Sequence, residues 1–172
     1  AVGNAYNDPD GKPMPTYVNY ALVNAERKAG IGHPRNADVV YPAFHHALII
    51  RAFLAQWRYA GDAACLARAR QLADWNLARR TPADWKYGLL FYSTAHGGKV
   101  GGSVDGDAIM TDKPAIMALA LLELAAATRE ARYRQAAEAV AATLANTQGP
   151  AGNWPFRVNP QTAATQAVPP GR

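Results

Sequence analysis

The sequence predicts an all-α protein. Two segments, about residues 42–60 and 112–128, are apolar on almost every side when drawn as helices, and each is followed by a segment that is apolar on one side only. A helix without a polar face must be surrounded by other helices, whereas an amphipathic helix can separate it from water. We therefore expect two layers, with the apolar helices inside and the amphipathic helices outside.

The first forty residues contain one predicted helix. Residues 1–15 hold three prolines and two glycines, which favours an irregular tail. Thr16 can cap a helix that runs to about Ala29, because its hydroxyl can accept hydrogen bonds from the first amides of the helix. Gly30 then supplies a left-handed stop.

A pair of helices follows. Pro42 sits where a first-turn proline costs no hydrogen bond, so an apolar helix can run from there to about Ala60, before Gly61. The amphipathic helix after it covers about Ala63–Arg80, with Leu66, Ala69, Leu72, Ala73 and Leu77 on its apolar side.

The same pattern then returns as an apolar helix over about Asp112–Thr128 and an amphipathic helix over about Ala131–Thr147. An offset of 67 residues pairs Leu54 with Leu121 and Leu77 with Leu144. The chain therefore reads as two copies of one helical hairpin.

The connection at residues 81–110 is about thirty residues long, far more than the usual two to eight between packed helices. Leu89–Tyr92 could pair with a return strand near Val100 through the glycine-rich AHGGKVGG turn, so we expect a long loop or a small β-hairpin here. Such a loop at the end of a rigid scaffold often carries function. After Phe156 the proline-rich chain should leave the helices, and residues 158–172 form an irregular tail.

Composition and motifs exclude several classes of protein. With 172 residues, 49% of them hydrophobic, the chain is long enough for one domain and too short for two. The net charge of +5 is spread along the helices, which argues against a nucleic-acid arm, and no apolar run reaches the roughly 20 residues that a membrane crossing needs. One cysteine, the lack of an HExxH motif and the lack of a phosphate loop predict no metal and no cofactor.

The chain begins with Ala, which indicates a processed product or an excerpt of a longer protein. The sequence leaves the compartment open, with a secreted or periplasmic location as the expectation.

Two phrases, MTDKPAIMALALLELAAATREARYRQAAEAVAATL and GNWPFRVNP, resemble hairpins and inter-hairpin loops of the α/α toroid, the six-hairpin superfamily of glycosidases and polysaccharide lyases. The resemblance covers roughly Tyr41 to Arg157 and implies a carbohydrate substrate. A closed six-hairpin ring needs more helices than the five predicted here. We therefore expect an incomplete ring, whose remaining hairpins come from a longer chain or from a second copy. A plain helical bundle or an α-solenoid is the alternative.

The candidate catalytic residues include three aspartates. Asp105 and Asp107 stand among glycines that let the backbone approach a ligand, and Asp38 occupies the matching position before the first apolar helix. Glycosidic hydrolysis needs two carboxyl groups about 5 to 10 Å apart, one as acid and one as base or nucleophile. Asp112 is the better candidate for a helix cap, together with Thr111.

His45 and His46 fall in the first turn of the first apolar helix, where a histidine can act as a base or bind a carboxylate. Only one of two adjacent side chains can face a central cavity, and a histidine on an apolar helix is commonly a structural core residue.

Aromatic side chains in the loops form the candidate substrate-binding set, because sugars stack their C–H faces on such rings. A cation beside them could pair with a uronic-acid carboxylate. The members are Trp85, Tyr87, Phe91, Tyr92, Trp154 and Phe156, with Arg157 or Lys99 as the cation. Packing between hairpins is the alternative role, above all for Phe156.

Three functions follow from these residues. The first is an enzyme that hydrolyses a glycosidic bond in an oligo- or polysaccharide, with Asp105 or Asp107 as acid or base. The second is a polysaccharide lyase, in which a tyrosine or histidine removes the proton beside a uronic carboxylate that a cation neutralises. The third is a helical-repeat binding module without catalysis.

Overall fold

The computed structural model describes residues 41–94, 100 and 108–166 in full, and the backbone alone of residues 6–7, 13–14, 21–23, 29–31, 39–40, 95–96 and 99. This part of the chain is mostly helical, as the sequence predicts. Its helices are α1 (Pro42–Ala60), α2 (Ala63–Leu77), α3 (Asp112–Thr128) and α4 (Ala131–Asn146). None of these helices is long and apolar enough to cross a membrane.

The four helices form two hairpins that lie side by side. α1 packs against α2 and α3, and α3 packs against α1 and α4, so that α1 and α3 are the central pair. The core between the helices is built from aliphatic side chains of both hairpins and from Tyr133, and it includes Ile50, Leu54, Met117, Leu121, Leu124 and Val140. The predicted pairing of each apolar helix with an amphipathic helix is confirmed.

The central helices are buried on one side only. Leu48, Leu119 and Leu122 are 44%, 57% and 44% exposed, although they lie on α1 and α3. The expectation that both apolar helices are surrounded therefore holds for the side that faces the second layer and fails for the opposite side. Periodicity cannot separate these cases, because it reports that a face is apolar and not what covers it.

The two hairpins end their first helices alike. Gly61 after α1 and Arg129 after α3 both adopt the left-handed conformation, with φ of 69° and 60°. These turns correspond at an offset of 68, whereas Ile50 and Met117, both fully buried, correspond at the predicted offset of 67. The second hairpin has one more residue than the first between its buried core positions and its turn. For this reason no single offset aligns both helices of the repeated hairpin.

Polar groups join the hairpins on the side of α2 and α4. Arg132 of α4 lies 2.9 Å from a carboxylate oxygen of Asp74 in α2, and the Tyr133 hydroxyl donates to the same carboxylate at 3.0 Å. Arg70 of α2 donates to Glu130, in the turn before α4, at 2.6 Å, and this bond lowers the pKa of Glu130. The pKa of Tyr133 is raised, because burial and Asp74 both oppose a phenolate.

The short strands pair antiparallel: β1 (Tyr6–Asn7) with β2 (Pro13–Met14), β3 (Ala21–Val23) with β4 (Ala29–Ile31), and β5 (Val39–Val40) with β6 (Ala95–His96), which also pairs with β7 (Lys99–Val100). A further pair joins β8 (Ile109–Met110) to β9 (Arg157–Val158). The predicted helix over 16–29 is wrong, because β3 lies within that range and β4 begins at its last residue, Ala29. A short isolated helix is marginal, so an end cap and a stop signal do not secure it.

The predicted hairpin near residues 89–100 is confirmed in its turn and wrong in its first strand. β6 and β7 flank the residues at 97 and 98, whereas Leu89, Leu90 and Phe91 belong to a compact turn over 81–91, which Tyr92 follows. Thr81 organises this turn: its hydroxyl donates to the Tyr87 carbonyl at 2.7 Å and accepts from the Leu90 amide at 3.0 Å. The Gly88 carbonyl accepts from Thr143 of α4 at 2.8 Å, which fixes the turn to the second hairpin.

Candidate functional site

The central helices begin at the same end of the molecule. Lys113, in the first turn of α3, places its ammonium 4.6 Å from the centre of the Phe44 ring, in the first turn of α1. Further along both helices, Arg51 donates to Glu123 at 2.8 Å, so the helices run parallel. We call this end the mouth and define it by Tyr41, Phe44 and His45 beside α3 residues Asp112 and Lys113.

His45 is the titratable ring of the mouth. It lies half-buried between two aromatic rings, with its centroid 6.2 Å from that of Tyr41 and 5.0 Å from that of Phe44. Burial lowers the pKa of His45 to about 4, and the charge of Lys113 adds to the shift. The imidazole is therefore neutral at neutral pH and can accept a proton.

Lys113 is a mouth residue that sequence reasoning missed. Its side chain is mostly buried, and its ammonium lies 2.8 Å from a carboxylate oxygen of Asp112. The available signal was a lysine immediately before Pro114 at a helix start, which fixes the lysine in the first turn. No side chain caps α3: the Thr111 hydroxyl donates to the Pro155 carbonyl at 2.9 Å instead. The predicted cap by Thr111 or Asp112 is therefore wrong.

His46 points the other way from its neighbour and is fully buried in the core. The Asn76 amide nitrogen of α2 lies 2.8 Å from His46 Nδ1 and 2.8 Å from the Leu72 carbonyl. Because an amide nitrogen only donates, His46 Nδ1 accepts and the ring proton sits on Nε2. Trp75 packs edge-on against the same ring at 5.4 Å. This position favours a structural role, in which His46 joins α1 to α2.

The three candidate aspartates, Asp38, Asp105 and Asp107, lie outside the described residues. Their chain neighbours are described: Val39 pairs with His96 in β6, and Ile109 pairs with Val158 in β9. Lys99 is described by its backbone only.

The candidate aromatic residues differ in burial. Tyr87 is buried in the core, and its backbone amide donates to the Pro160 carbonyl at 2.8 Å. Phe91 is also buried in the core, whereas Trp85 is half-buried in the turn over 81–91. Tyr92 is half-buried and precedes Ser93, whose hydroxyl accepts from the Met110 amide at 2.8 Å, so Tyr92 lies on the chain beside the start of α3.

Trp154 and Phe156 lie in the segment after α4. Trp154 donates its indole N–H to the Leu144 carbonyl at 2.7 Å, and Phe156 accepts from the Thr111 amide at 3.2 Å through its backbone carbonyl. Both rings are partly exposed, at 40% and 49%. Arg157, in β9 beside Met110, is buried, so it does not offer a cation to solvent.

Within the described residues, no group of three histidine, cysteine or carboxylate side chains could hold a metal ion. A comparison with known proteins found no matching family model and no matching curated protein.

The mouth combines a neutral imidazole, a mostly buried ammonium and partly exposed aromatic rings. Such a set can accept a proton, balance a carboxylate and stack on a sugar ring.

Proposed function

We propose that this chain is a carbohydrate-active unit of the α/α-toroid type, which hydrolyses a glycosidic bond at the mouth. One observation supports this proposal above the others. The sheet β5–β6–β7 joins the chain before α1 to the long loop, and β8 leads from the end of that loop directly to α3.

In this proposal the carboxyl groups come from the two chain segments that lead into the mouth. Asp38 immediately precedes β5, which leads into α1, and the residues that connect Val100 to Ala108 include Asp105 and Asp107. Val100 aligns with Ala95, which in turn aligns with Val40, two residues before α1. Neighbouring strands are about 4.8 Å apart, so Val100 and Val40 are about 10 Å apart. In this proposal one carboxyl group protonates the leaving oxygen and another activates water.

The test is product analysis with purified protein and polysaccharides of neutral and of uronic sugars. Hydrolysis in heavy-oxygen water places the label on the new reducing end and leaves no unsaturated product. Replacing the acid or the base, by Asp105→Asn, Asp107→Asn or Asp38→Asn, should reduce the rate by about 10²- to 10⁴-fold. Asp84→Asn is the matched control, because Asp84 is an exposed carboxylate in the turn over 81–91. Binding without cleavage of any polymer would replace this function with that of a binding module.

A second candidate, a polysaccharide lyase, is favoured by the pair His45 and Lys113. The pKa of His45, at about 4, leaves the imidazole unprotonated at neutral pH but makes it a weak base. In this alternative the carboxylate of a bound uronic sugar raises the pKa of His45, so that the imidazole can remove the proton beside that carboxylate. Lys113 stands on the same side and can balance the carboxylate once Asp112 releases it.

The lyase leaves an ultraviolet-absorbing unsaturated end and incorporates no label from water. In that case His45→Gln should remove activity, whereas Lys113→Met should raise KM on uronic polymers more than it lowers kcat. An unsaturated product that persists in His45→Gln would exclude His45 as the base.

A further inference from the structure

The segment after α4 presents two aromatic rings to solvent beside the mouth. Trp154 and Phe156 are partly exposed, although β9, which follows them directly, is buried. We call residues 154–156 the aromatic segment. It lies against Thr111, the residue before α3, whose hydroxyl donates to the Pro155 carbonyl at 2.9 Å and whose amide donates to the Phe156 carbonyl at 3.2 Å. The mouth residues of α3 follow Thr111 directly, so the aromatic segment borders the mouth.

The aromatic segment is held in place by hydrogen bonds and not by burial of its rings. The Trp154 indole N–H donates to the Leu144 carbonyl, in the last turn of α4, at 2.7 Å. This bond fixes the indole while the ring stays 40% exposed. A side chain that is already fixed loses little conformational entropy when a ligand binds to it. Trp154 is therefore preorganised for stacking.

The residues around the two rings are polar and uncharged. The stretch at 147–156 contains no charged side chain. Its exposed side chains include Gln148 and Asn153, and an amide can both donate to and accept from a hydroxyl group. Flat rings stack on the C–H faces of pyranose sugars, and amides bond to the hydroxyl groups of such sugars. This combination fits an uncharged sugar.

The charges next to the aromatic segment disfavour an acidic sugar. Asp112 and Lys113 form an ion pair, in which the Asp112 side chain is 45% exposed and the Lys113 side chain only 18%. The charge that reaches solvent here is therefore mainly negative, and it repels a uronic carboxylate. Arg157, on the other side of the segment, is buried. The compact turn that contains exposed Asp84 and Lys86 adds one charge of each sign.

We propose that the aromatic segment is a subsite for a neutral pyranose unit of the polymer that is cleaved at the mouth. The inference rests on the proposed function and names its substrate class as a neutral polysaccharide. Trp154 and Phe156 stack on the sugar ring, and the neighbouring amides bond to its hydroxyl groups. Because Trp154 contacts the last turn of α4, the polymer leaves the mouth on the side of α4.

The first experiment measures the binding of oligosaccharides to the 172-residue chain by isothermal titration calorimetry. Neutral oligomers of glucan, xylan and mannan are compared with oligomers of polygalacturonate. At least one neutral oligomer should bind, and the polygalacturonate oligomers should bind at least about tenfold more weakly, because no exposed cation balances their carboxylates at the aromatic segment.

Variants of Phe156 test whether the contact is stacking. Phe156→Leu should raise the dissociation constant for the neutral oligomer about tenfold, because leucine remains apolar but has no flat ring. Phe156→Tyr keeps the ring and should keep the affinity. Tyr59→Leu is the matched control, since it removes an exposed aromatic ring at the end of α1 opposite the mouth and should leave binding unchanged. Circular dichroism and thermal unfolding check that the variants stay folded.

The second experiment follows Trp154 directly. The neutral oligomer that binds should change the tryptophan fluorescence of the chain, because a sugar then covers an exposed indole. Trp154→Phe should remove most of that change. A change of the same size in Trp154→Phe would exclude Trp154 from the subsite and overturn the proposal.

Binding and cleavage separate this inference from the proposed function. Neutral binding that depends on Phe156, without cleavage, supports the subsite and removes the hydrolysis. Cleavage of a neutral polymer with unchanged affinity in Phe156→Leu overturns the subsite and leaves the hydrolysis. Unchanged affinity in that variant is the result expected if another hairpin or a protein segment covers the rings. The subsite is also overturned if no neutral oligomer binds, or if polygalacturonate oligomers bind more tightly than every neutral one.

Discussion

His45 and His46 are neighbours in the chain and occupy opposite environments. Adjacent helical positions point about 100° apart, so one imidazole reaches the mouth and the other reaches the core. His46 bonds to Asn76 and packs on Trp75 within the first hairpin. His45 contacts aromatic rings and feels the charge of Lys113, which belongs to the second hairpin. One position along α1 therefore separates His46, which joins the two helices of the first hairpin, from His45, which lies between the two hairpins.

The lowered pKa of His45 predicts a pH dependence of stability. The ordinary pKa is 6.5 and the folded value is about 4, so the unfolded chain binds a proton first as the pH falls. The free energy of unfolding should therefore decrease between pH 6.5 and pH 4, by at most about 3 kcal/mol and by less because the ring is only half-buried. Urea unfolding at several pH values measures this slope.

His45→Gln should flatten the profile, because glutamine does not titrate. Lys113→Met should reduce the slope in part, since it removes one of the two causes of the shift. An unchanged profile in His45→Gln would assign the pH dependence to other groups.

Gly88 carries a second residue-scale prediction. A Cβ at this position would lie 2.6 Å from the Ala83 carbonyl oxygen and 2.8 Å from that of Pro82, and both are backbone atoms. Gly88→Ala should therefore lower the free energy of unfolding by about 2 kcal/mol, because the turn must open. Asp84→Ala, an exposed change in the same turn, should be close to neutral. Equal stability of the two variants would show that the turn adapts at little cost.

At the scale of elements, the helix ends show how the two hairpins differ. Gly61 suits the left-handed conformation after α1, whereas Arg129 adopts it after α3 against the preference of a side chain. Asp62 also caps α2, since its carboxylate accepts from the Ala64 amide at 2.8 Å, whereas no side chain caps α4. The second turn is therefore the less favourable of the two by local backbone and capping criteria.

The two turns give opposite predictions for matched changes. Arg129→Gly should raise the free energy of unfolding by about 1 kcal/mol, because it removes left-handed strain. Gly61→Ala should lower it by about the same amount, since nothing lies within 4 Å of the new methyl group and only the backbone strain remains. Thermal and urea unfolding measure both changes. A loss of stability in Arg129→Gly would mean that the arginine side chain contributes more than the strain costs.

At the scale of the whole molecule, two hairpins are joined by an apolar core and by the charged contacts around Asp74 and Glu130. The charges are partly exposed, so each contact contributes little alone. Their position is specific, because they link α2 to α4 and to the turn before it, where the two outer helices have few other contacts.

This arrangement predicts a measurable coupling between hairpins. Asp74→Asn should lower the free energy of unfolding by about 1 kcal/mol or less, and added salt should shrink the difference. Glu138→Gln is the control, because it breaks only the exposed pair with Arg134 inside α4 and should cost about 0.3 kcal/mol. A double-mutant cycle with Arg132→Met tests whether the coupling lies in the Asp74–Arg132 pair. Additive effects in that cycle would place the stabilisation elsewhere.

The sequence predicted the helices correctly where a long apolar pattern repeats. It failed where a structure depends on a few local residues or on contacts with distant parts of the chain. Both ends of α1 and the start of α3 follow from Pro42, Gly61 and Pro114, which act through local backbone chemistry. The helix expected at 16–29 rested on a cap and a stop alone, and strands occupy part of that range. Tyr87 was chosen for its residue type and its loop, whereas its burial depends on contacts with Pro160, far along the chain. The roles of Asp38, Asp105 and Asp107 remain predictions.

The amino-acid sequence by itself determined the helical hairpins and their order, because periodicity, turn glycines and prolines act over a few residues. Only the tertiary structure decided that the charge of Lys113 acts on His45, that His46 belongs to the core, and that one side of α1 and α3 is exposed. The physical reason is that burial and pKa depend on contacts between residues distant in the chain, and an apolar pattern is the same whether or not another surface covers it.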